Sequence, residues 1–406
     1  MMTSRERITE AINFRRTDRV PIDLGGMKAS GITADAYTHL KEYLGLKSET
    51  RIQDPRFMLA VVEEEIRKRF RVDVLPLDLD SALWWAKKEA WIPKKLFNGQ
   101  NVLFPPRTKI KEEPDAWTLL NPDGSPTSYR MPRGGFYFDD TSFDKETGEF
   151  NPKNFDPINT ISDENLRALA DYGKHLYQNT DYAVLGWDFG VCFLGLSLIT
   201  AKRNVVTLGR PTEWMTMLLT EKETCHEMMD RAVEAFISCL KLINEAVGDY
   251  CFAWGIAADD SGTQRREFIN PDLWAEMVKP HYQKICDWIH QHTKMKTFFH
   301  CCGSIYHLIP HLIEAGVDIL NPVQTSAANM DPARLKKEFG DKIVFWGGGC
   351  DTQQILPHAT AEEVRRHVKE QTTIFAPGGG YVFNQIHNIQ HGVPPENIVA
   401  MFDAVL

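Results

Sequence analysis

The stretch KMKTFFHCCGSIYHLIPHLIEAGVDILN, residues 294–321, shows the repeating unit of the chain. It begins with an apolar run, turns at Gly303 and Ser304, continues through a helical pattern and ends with a second apolar run at 317–321. A buried strand, a helix and another buried strand in this order are typical of a βαβ unit, in which the two strands are parallel. The stretch therefore predicts an α/β fold with a parallel sheet.

Apolar runs of this kind recur along the whole chain and provide eight candidates for buried strands. From the third run onward, nearly every gap between two runs holds a helical pattern. Eight strands that alternate with helices favour a closed (β/α)8 TIM-type barrel over an open doubly wound sheet. The eight runs are RVPIDLGG at 19–26, VDVLPLDL at 72–79, YAVLGWDF at 182–189, YCFAWGIA at 250–257, KMKTFFHC at 294–301, VDILN at 317–321, KIVFWGG at 342–348 and GYVFNQI at 380–386.

Residues 81–160 interrupt this alternation. They are rich in Pro, Gly, Asp and Lys, and NPDGS and MPRGG are turn signals. We expect an insertion of hairpins and loops over one mouth of the barrel, inside a single domain that covers residues 1–406. A separate small domain at 81–160 is the alternative that this pattern leaves open.

Composition and charge exclude several classes of protein. The chain has 406 residues, of which 43% are hydrophobic and 25% charged, and its net charge of −9 argues against nucleic acid or an anionic membrane as the main partner. Most of the eight cysteines lie in apolar or helical runs, which favours reduced thiols over a secreted disulfide scaffold. The N-terminus lacks the apolar segment of a signal peptide, and no apolar stretch is long enough to span a bilayer. We therefore expect a cytoplasmic protein.

A metal site is predicted at the carboxyl ends of the strands, where barrel enzymes carry their chemistry. Side chains alternate along a strand, so His300 and Cys302 share one face while Cys301 points to the other. Cys350 follows another strand two positions further around the barrel, and alternate strands contribute to the same layer. His300, Cys302 and Cys350 are thus predicted to hold Zn²⁺ with one open position. The alternative is that the cysteines are small hydrophobic residues and that the histidine is a satisfied core residue.

Carboxylates follow two other strands at the same rim. Asp259 and Asp260 end the fourth strand, and Asp188 belongs to GWDFG at the end of the third. Asp260 and Asp188 are predicted as catalytic residues, because a carboxylate beside a metal can donate a proton, orient a ligand or become one. For Asp259, a structural role as a loop cap is about equally expected.

Neutral amides and one tryptophan complete the predicted rim. The sixth strand runs into NPVQTS and the eighth into NQIHNIQHG. Amide groups suit hydrogen bonding to a small substrate beside an aromatic wall, although each of them can instead tie down its own loop. The predicted substrate-binding residues are Trp187, Asn321, Gln324, Asn384 and Gln385.

Four segments also resemble the uroporphyrinogen decarboxylase–like superfamily. The resemblance is strong from about residue 248 to the end and fair at the N-terminus, and it implies a (β/α)8 barrel with its active site at the carboxyl rim. The segments are RERITEAINFRRTDRVPIDLGG, DDSGTQ, HCCGSIYHLIPHLIEAGVDILNPVQ and GGGCDTQQILP…APGGGYVFNQIHNIQHGVPPENIVAMFDA.

The superfamily contains two chemistries. Its decarboxylases act without a metal and carry an arginine-rich segment of the RQAGRY type, whereas this chain has DLGGMKASGIT after its first strand. Its zinc methyltransferases of corrinoid systems carry H-x-C, which falls on His300 and Cys302, and a distant cysteine in a PGCG motif of the last strand. This chain has APGGG at residues 376–380, so the assignment of Cys350 as a ligand rests on geometry rather than on a motif.

The resemblance favours a corrinoid-dependent methyltransferase of an O- or N-demethylase system. Its cofactors are expected to be Zn²⁺ and a corrinoid carried by a partner protein, and its substrate a small methylated molecule. The main alternative is a metal-free lyase that resembles uroporphyrinogen decarboxylase. A third hypothesis is a non-catalytic barrel that binds a corrinoid or tetrapyrrole, and a homodimer stays open in every case.

Overall fold

Strands and helices alternate along the computed structural model of the chain. The structure describes residues 1–141, 155, 157, 160–187, 190–194, 197–199, 205–207 and 211–406. The strands are β1 (Thr50–Asp54), β2 (Leu59–Ala60), β3 (Val74–Leu77), β4 (Ile92–Lys95), β5 (Asn101–Phe104), β6 (Ile110–Glu112), β7 (Ala116–Leu120), β8 (Pro126–Pro132), β9 (Asp139–Asp140), β10 (Ala183–Gly186), β11 (Gly190–Cys192), β12 (Ser197–Ile199), β13 (Val205–Thr207), β14 (Ala253–Ala258), β15 (Lys296–His300), β16 (Ile319–Asn321), β17 (Val344–Trp346) and β18 (Tyr381–Val382).

The helices lie mostly between the strands, and within the described residues none of them has the length and apolar character needed to cross a membrane. They are α1 (Ser4–Ile12), α2 (Ala34–Tyr43), α3 (Glu64–Arg69), α4 (Leu79–Lys87), α5 (Asp163–Asn179), α6 (Pro211–Thr220), α7 (Lys222–Val247), α8 (Pro271–Met277), α9 (Lys279–His292), α10 (Ile309–Glu314), α11 (Pro332–Phe339), α12 (Ile355–His358), α13 (Ala361–Phe375) and α14 (Pro395–Asp403).

A curled parallel sheet forms the centre of the fold. Its strands pair in the order β3, β10, β14, β15, β16, β17 and β18. Residues 21–23, from the first predicted run, reach both edges: the Asp23 amide donates to the Phe383 carbonyl at 2.8 Å, and the Asp73 amide donates to the Ile22 carbonyl at 2.7 Å. All eight predicted runs therefore take part in one α/β arrangement that is consistent with a TIM-type barrel.

Alternation of side chains along these strands produces two separate cores. One cluster lies inside the curl, and α1 packs against it with Ile8, Ala11 and Ile12. The other lies between the strands and the surrounding helices. Inward residues include Val74, Leu185, Phe298, Ile319, Val344, Trp346 and Val382, and outward residues include Leu75, Val184, Phe299, Leu320, Phe345 and Tyr381.

The predicted insertion contains hairpins, and the additional sheets begin earlier than residue 81. Strands β4 and β5 join β1 and β2 in the order β2-β1-β5-β4, and β6 to β9 form a second, antiparallel sheet. Phe104 and Trp117 share a small core with Ile52 and Ala34, so residues before 81 help to hold the insertion. Its position over a mouth and its inclusion in one domain stay predictions.

A buried charge network joins α1, the segment at residues 18–22 and the residue that precedes β3. The Asp73 carboxylate is fully buried and accepts hydrogen bonds from Arg7 Nη1 at 2.6 Å, Arg19 Nη1 at 2.7 Å and the Ile22 amide at 2.9 Å. The Arg7 side chain is 6% exposed and also bonds to Asp18. Loss of Asp73 leaves the buried Arg7 with Asp18 as its carboxylate partner and removes the carboxylate that pairs with Arg19, a costly change in a low-dielectric environment.

Replacement Asp73→Ala is expected to lower the free energy of unfolding by about 3–5 kcal/mol, the range for breaking a buried ion pair. Urea unfolding followed by tryptophan fluorescence measures this loss. Asp115→Ala is the matched control: it removes a carboxylate that is 78% exposed and pairs with Arg130, and it is expected to cost less than about 1 kcal/mol. Similar losses in the two variants contradict a structural role for the Asp73 network.

Candidate metal centre

Three potential metal ligands meet at the carboxyl end of the curled sheet. His300 ends β15, Cys302 follows two residues later, and His387 lies beyond the end of β18. Their ligating atoms all lie within 4.8 Å of one another, and His300 Nε2 is 3.5 Å from Cys302 Sγ. Two imidazoles and one thiol match the donor preference of Zn²⁺, and three protein ligands leave a fourth position for substrate or water.

The predicted alternation after β15 is confirmed. His300 and Cys302 belong to the metal-ligand group, whereas Cys301 is buried in the outer core. The Cys301 sulfur accepts a hydrogen bond from the Ser261 amide at 3.2 Å, and burial raises the pKa of the Cys301 thiol. Cys301 is therefore a structural residue that faces away from the site.

The structure does not bring Cys350 into this group. Gly347 and Gly348 follow β17 with φ of 120° and 73°, so the backbone leaves the strand conformation before Cys350 is reached. Cys350 is fully buried in the outer core, and burial raises the pKa of its thiol. The alternation of side-chain directions along a strand does not continue through a left-handed glycine turn. Cys350 therefore faces the outer core and not the inner rim where the prediction placed it.

The last strand contributes a ligand in place of Cys350, but not at APGGG. Residues 376–380 precede β18, and the Gly380 amide donates to the Ala11 carbonyl of α1. They therefore lie at the opposite end of β18 from His387. The comparison of APGGG with the PGCG ligand motif is thus wrong, because APGGG does not lie at the carboxyl end of the strand. His387 follows a turn beyond β18, where alternation predicts no direction, so strand periodicity carried no signal for it.

The orientation of His300 is set by Asn321 on the neighbouring strand. Asn321 Oδ1 lies 2.7 Å from His300 Nδ1, and Asn321 Nδ2 donates to the Trp346 carbonyl at 2.9 Å. The second bond directs the amide oxygen towards the imidazole, so His300 Nδ1 carries the proton and Nε2 is left with its lone pair. This is the usual arrangement behind a metal-bound histidine. Asn321, predicted to bind substrate, thus contacts a candidate metal ligand.

Burial sets the protonation of the other two candidate ligands. Burial and the neighbouring His300 lower the pKa of His387 to about 4, so its imidazole is neutral at pH 7. Burial and the Asp260 charge raise the pKa of the Cys302 thiol. A bound metal ion acts in the opposite direction and lowers the pKa of the thiol, because a coordinating thiol is deprotonated. The neutral His387 imidazole offers a lone pair as it stands, whereas the Cys302 thiol becomes a ligand only when a bound cation displaces its proton.

The two carboxylates after β14 have different environments. Asp260 Oδ1 accepts the Cys302 amide at 2.7 Å and lies 3.9 Å from His300 Nε2, while its side chain is 56% exposed. Asp259 is fully buried and accepts from the Phe193 amide at 2.9 Å and the Tyr282 hydroxyl at 2.6 Å. Asp260 therefore borders the metal group, and Asp259 anchors a loop. Asp188 lies outside the described residues.

Two of the predicted substrate amides bind the protein itself. Gln324 Oε1 accepts from the Gly303 amide at 2.7 Å, and Gln324 Nε2 donates to Gln264 at 3.0 Å. Gln385 Nε2 donates to the Ser30 carbonyl at 3.0 Å. These side chains connect the loops that follow neighbouring strands. The role of Gln264 as a partner was not predicted, because it depends on two loops that are distant in sequence.

Asn384 and Trp187 are left as candidates for substrate contact. Asn384 is fully buried, and neither atom of its amide has a hydrogen-bond partner among the described residues. Its Oδ1 would lie 2.9 Å from a Cβ at position 347, so Gly347 provides the room for this side chain. The Trp187 ring lies 6.5 Å from the His300 ring in an edge-on arrangement. An unsatisfied buried amide is suited to orient a polar ligand, and an aromatic ring near His300 is suited to contact its apolar part.

Fold and site together define an α/β protein that carries a His–Cys–His group at the carboxyl ends of a curled parallel sheet. The family model of uroporphyrinogen decarboxylase (URO-D) matches residues 205–406, the part that contains all three potential ligands. Residues 205–406 thus match a uroporphyrinogen decarboxylase domain, which supports the superfamily that the sequence resemblance indicated.

Curated relatives match over short segments. The chain is 33% identical over 94 residues to uroporphyrinogen decarboxylase from Thioalkalivibrio sulfidiphilus, which covers 23% of this chain and 25% of the relative. It is 37% identical over 76 residues to the enzyme of the same name from Psychromonas ingrahamii, covering 19% and 21%. For the Schizosaccharomyces pombe uroporphyrinogen decarboxylase, identity is 24% over 181 residues, covering 41% and 48%. The matches thus span from about a fifth to about half of the relatives' length.

A solved structure covers the whole chain. A methyltransferase from Methanosarcina mazei superposes with a TM-score of 0.57, covers 100% of this chain and 98% of that chain, and is 14% identical in sequence. At this identity the likeness establishes the shared fold.

Protein purified with zinc present is expected to carry about one metal ion per chain, because three ligands converge on one space. His387→Ala is expected to lose most of this metal, whereas Cys350→Ala keeps it, because of these two residues His387 is the one whose ligating atom lies beside His300 and Cys302. Metal content by atomic emission spectroscopy measures both. Metal loss in Cys350→Ala with retention in His387→Ala contradicts the ligand group in the structure and supports the group of His300, Cys302 and Cys350 that was predicted from sequence.

The adjacent cysteines provide a second matched pair for the same measurement. Cys302→Ser is expected to lose most of the metal, and Cys301→Ala to retain it, because alternation turns their side chains to opposite faces. Equal loss in these two variants, or wild-type protein without metal after purification with zinc, contradicts the metal centre.

A pH dependence is expected from Asp23, which accepts the Trp346 indole N–H at 2.9 Å behind the site. Burial raises the pKa of Asp23 to about 6, although hydrogen bonds from Trp346 and Ser30 oppose the shift. A raised carboxyl pKa means that protonated Asp23 favours the folded state. This stabilisation is complete below the pKa of the unfolded chain, near 4, and is lost as the pH rises through about 6.

Relative to Asp23→Asn, the wild type is therefore expected to lose about 1 kcal/mol of unfolding free energy between about pH 5 and about pH 8. Urea unfolding of both proteins at the two pH values measures the difference. A difference that is the same at both pH values contradicts titration of Asp23 in this range.

Proposed function

We propose that the protein is a zinc-dependent methyltransferase of a corrinoid system, which transfers a methyl group between a small O- or N-methylated molecule and a corrinoid carried by a separate protein. The observation that carries this proposal is the group of His300, Cys302 and His387, whose ligating atoms lie within 4.8 Å. Zinc bound there supplies a Lewis acid that polarises the heteroatom attached to the methyl group.

The chain's own residues hold the ligands in place. Asn321 holds the His300 ring through Nδ1, so Nε2 points into the group. Asp260 fixes the backbone at Cys302 by accepting its amide at 2.7 Å. The ligand geometry is thus set by neighbouring strand ends before a metal or substrate binds, which lowers the cost of ordering on binding.

Asp260 is proposed to exchange a proton with the heteroatom that loses or receives the methyl group. Its carboxyl lies 3.9 Å from His300 Nε2 and is partly exposed, so it reaches both the metal group and solvent. Asn384 and Trp187 are proposed to orient the substrate, the first with its unsatisfied amide and the second with its ring. Asp188 stays a proposed second carboxylate.

We also propose that the curled sheet closes into a (β/α)8 barrel through residues 21–23, with the hairpins of the insertion beside its mouth in one domain. The hydrogen bonds of Ile22 and Asp23 to both edges of the sheet support closure. A barrel mouth restricts the access of water to a bound methyl donor, and water exclusion strengthens electrostatic interactions at the site.

A metal-free decarboxylase is the second candidate, because the curated relatives matched by this chain have that name. A substrate with many carboxylates needs several cations near the reacting centre. The groups around His300 are instead imidazole, thiol, carboxylate and neutral amides. Arg265 and Arg266 follow Asp260 closely in the sequence, and both are exposed. The charge at the site therefore favours the methyltransferase.

Replacement Asp260→Asn is expected to lower methyl transfer by roughly 10²-fold or more, the usual effect of losing a general acid or base. The assay follows the absorbance change of methylcobalamin, a free corrinoid, on transfer of its methyl group to a panel that contains a phenol, an amine and a thiol. Metal content is measured in the same samples and is expected to stay unchanged. Loss of metal in Asp260→Asn shows a ligand role instead.

Cys302→Ser separates the two candidate functions. A zinc methyltransferase loses activity with the metal, whereas a metal-free decarboxylase does not depend on a ligand. Release of carbon dioxide from uroporphyrinogen by the wild type, without corrinoid and without loss on chelation of metal, overturns the proposal in favour of the decarboxylase.

A further inference from the structure

A second cavity lies beside β3, away from the metal centre. Its volume is about 420 Å³, and its walls come from β1, β3, α3, α4 and α5 together with the segments that join them. This volume is in the range of pockets that bind small molecules. None of His300, Cys302, His387 and Asp260 lines it, so it is a separate space from the proposed reaction site.

Aromatic side chains from several elements form much of the wall. Trp84 of α4 meets Trp91 edge to face with ring centroids 5.1 Å apart, and Trp85 lies 5.6 Å from Tyr172 of α5. Trp85 is 37% exposed, so a large apolar surface is left uncovered. Tyr182 also lines the cavity. Flat aromatic faces on more than one side are suited to a planar ring, which gains from offset or edge-to-face contacts.

The charge at the edge of the cavity is positive. The Arg51 guanidinium lies 5.5 Å from the Trp91 ring centroid, and among the described residues no carboxylate forms an ion pair with it. The one acidic residue of the wall, Glu64, already binds Arg67 at 3.1 Å and the Tyr182 hydroxyl at 3.2 Å. Arg51 is thus the cation of this wall that is available to an anionic group.

We propose that this cavity binds a small planar aromatic carboxylate, with its ring against the aromatic wall and its carboxylate on Arg51. Aromatic walls provide the apolar contact area, and a guanidinium binds a carboxylate through charge-assisted hydrogen bonds in a fixed, planar geometry. The site does not depend on the metal centre or on the proposed methyl transfer.

Isothermal titration with 2-naphthoate tests the charge. Wild-type protein is expected to bind 2-naphthoate at least tenfold more tightly than the neutral 2-naphthamide, and Arg51→Gln is expected to weaken naphthoate binding tenfold or more, as loss of a charge-assisted hydrogen bond does. Arg130→Gln, a change of another partly exposed arginine in the second sheet, is the matched control and is expected to bind as the wild type does. Equal affinity for acid and amide, or equal binding by Arg51→Gln and wild type, overturns the proposal.

Two further variants test the location. Trp84→Leu removes an aromatic face and is expected to weaken 2-naphthoate binding about tenfold, within the range for loss of an aromatic contact. Cys302→Ser is expected to bind 2-naphthoate unchanged, whether or not it retains metal or activity. Loss of binding in Cys302→Ser, with retention in Trp84→Leu, places the ligand at the metal centre and overturns the proposal while leaving the methyltransferase proposal intact.

Discussion

Parallel strands with alternating side chains impose one constraint from which most of this structure follows. Every strand of the curled sheet sends one set of side chains inward and the next set outward, and all carboxyl ends lie at one rim. Phe298 and His300 therefore share the inner face of β15, with Phe298 in the inner core and His300 one layer above it. Phe299 and Cys301 pack outward against the helices. Core and metal centre are successive layers of the same periodic pattern.

The candidate metal centre is tied to the far side of the sheet through hydrogen bonds. His300 binds Asn321, Asn321 binds the Trp346 carbonyl, and the Trp346 indole binds Asp23 of the first strand. Each group in this series is buried, so a misoriented partner would leave a polar group unsatisfied in a low-dielectric environment. The series connects β15, β16 and β17 to the segment at residues 21–23 and supports the site from below. Within this series Asn321 holds the candidate ligand His300 in place.

The superfamily shares its fold between proteins of different activity, and fold alone does not distinguish them. In this chain the distinction rests on which side chains meet at the rim. A cluster of imidazole, thiol and carboxylate with few cations is suited to a metal and a small polar substrate. A site that grips several carboxylates needs arginine or lysine in those positions. The short and partial matches to uroporphyrinogen decarboxylases indicate that the C-terminal half is related to these enzymes. They do not identify its reaction, which has to be inferred from the residues at the rim.

The sequence did not predict β1 and β2, but its local pattern was sufficient for the parallel strands of the curled sheet and for the shared face of His300 and Cys302. These depend on periodicity and on the fixed direction of parallel strands, which act within a few residues. Tertiary structure alone decided the third candidate ligand, because His387 and Cys350 both follow strands and lie beyond turns that break the alternation. It also decided that Asn321, Gln324 and Gln385 bind protein groups, since their partners lie on elements that are distant in sequence. Inside a strand, backbone geometry fixes the direction of each side chain relative to its neighbours in sequence. Beyond the strand, the direction depends on how the loop packs against the rest of the fold.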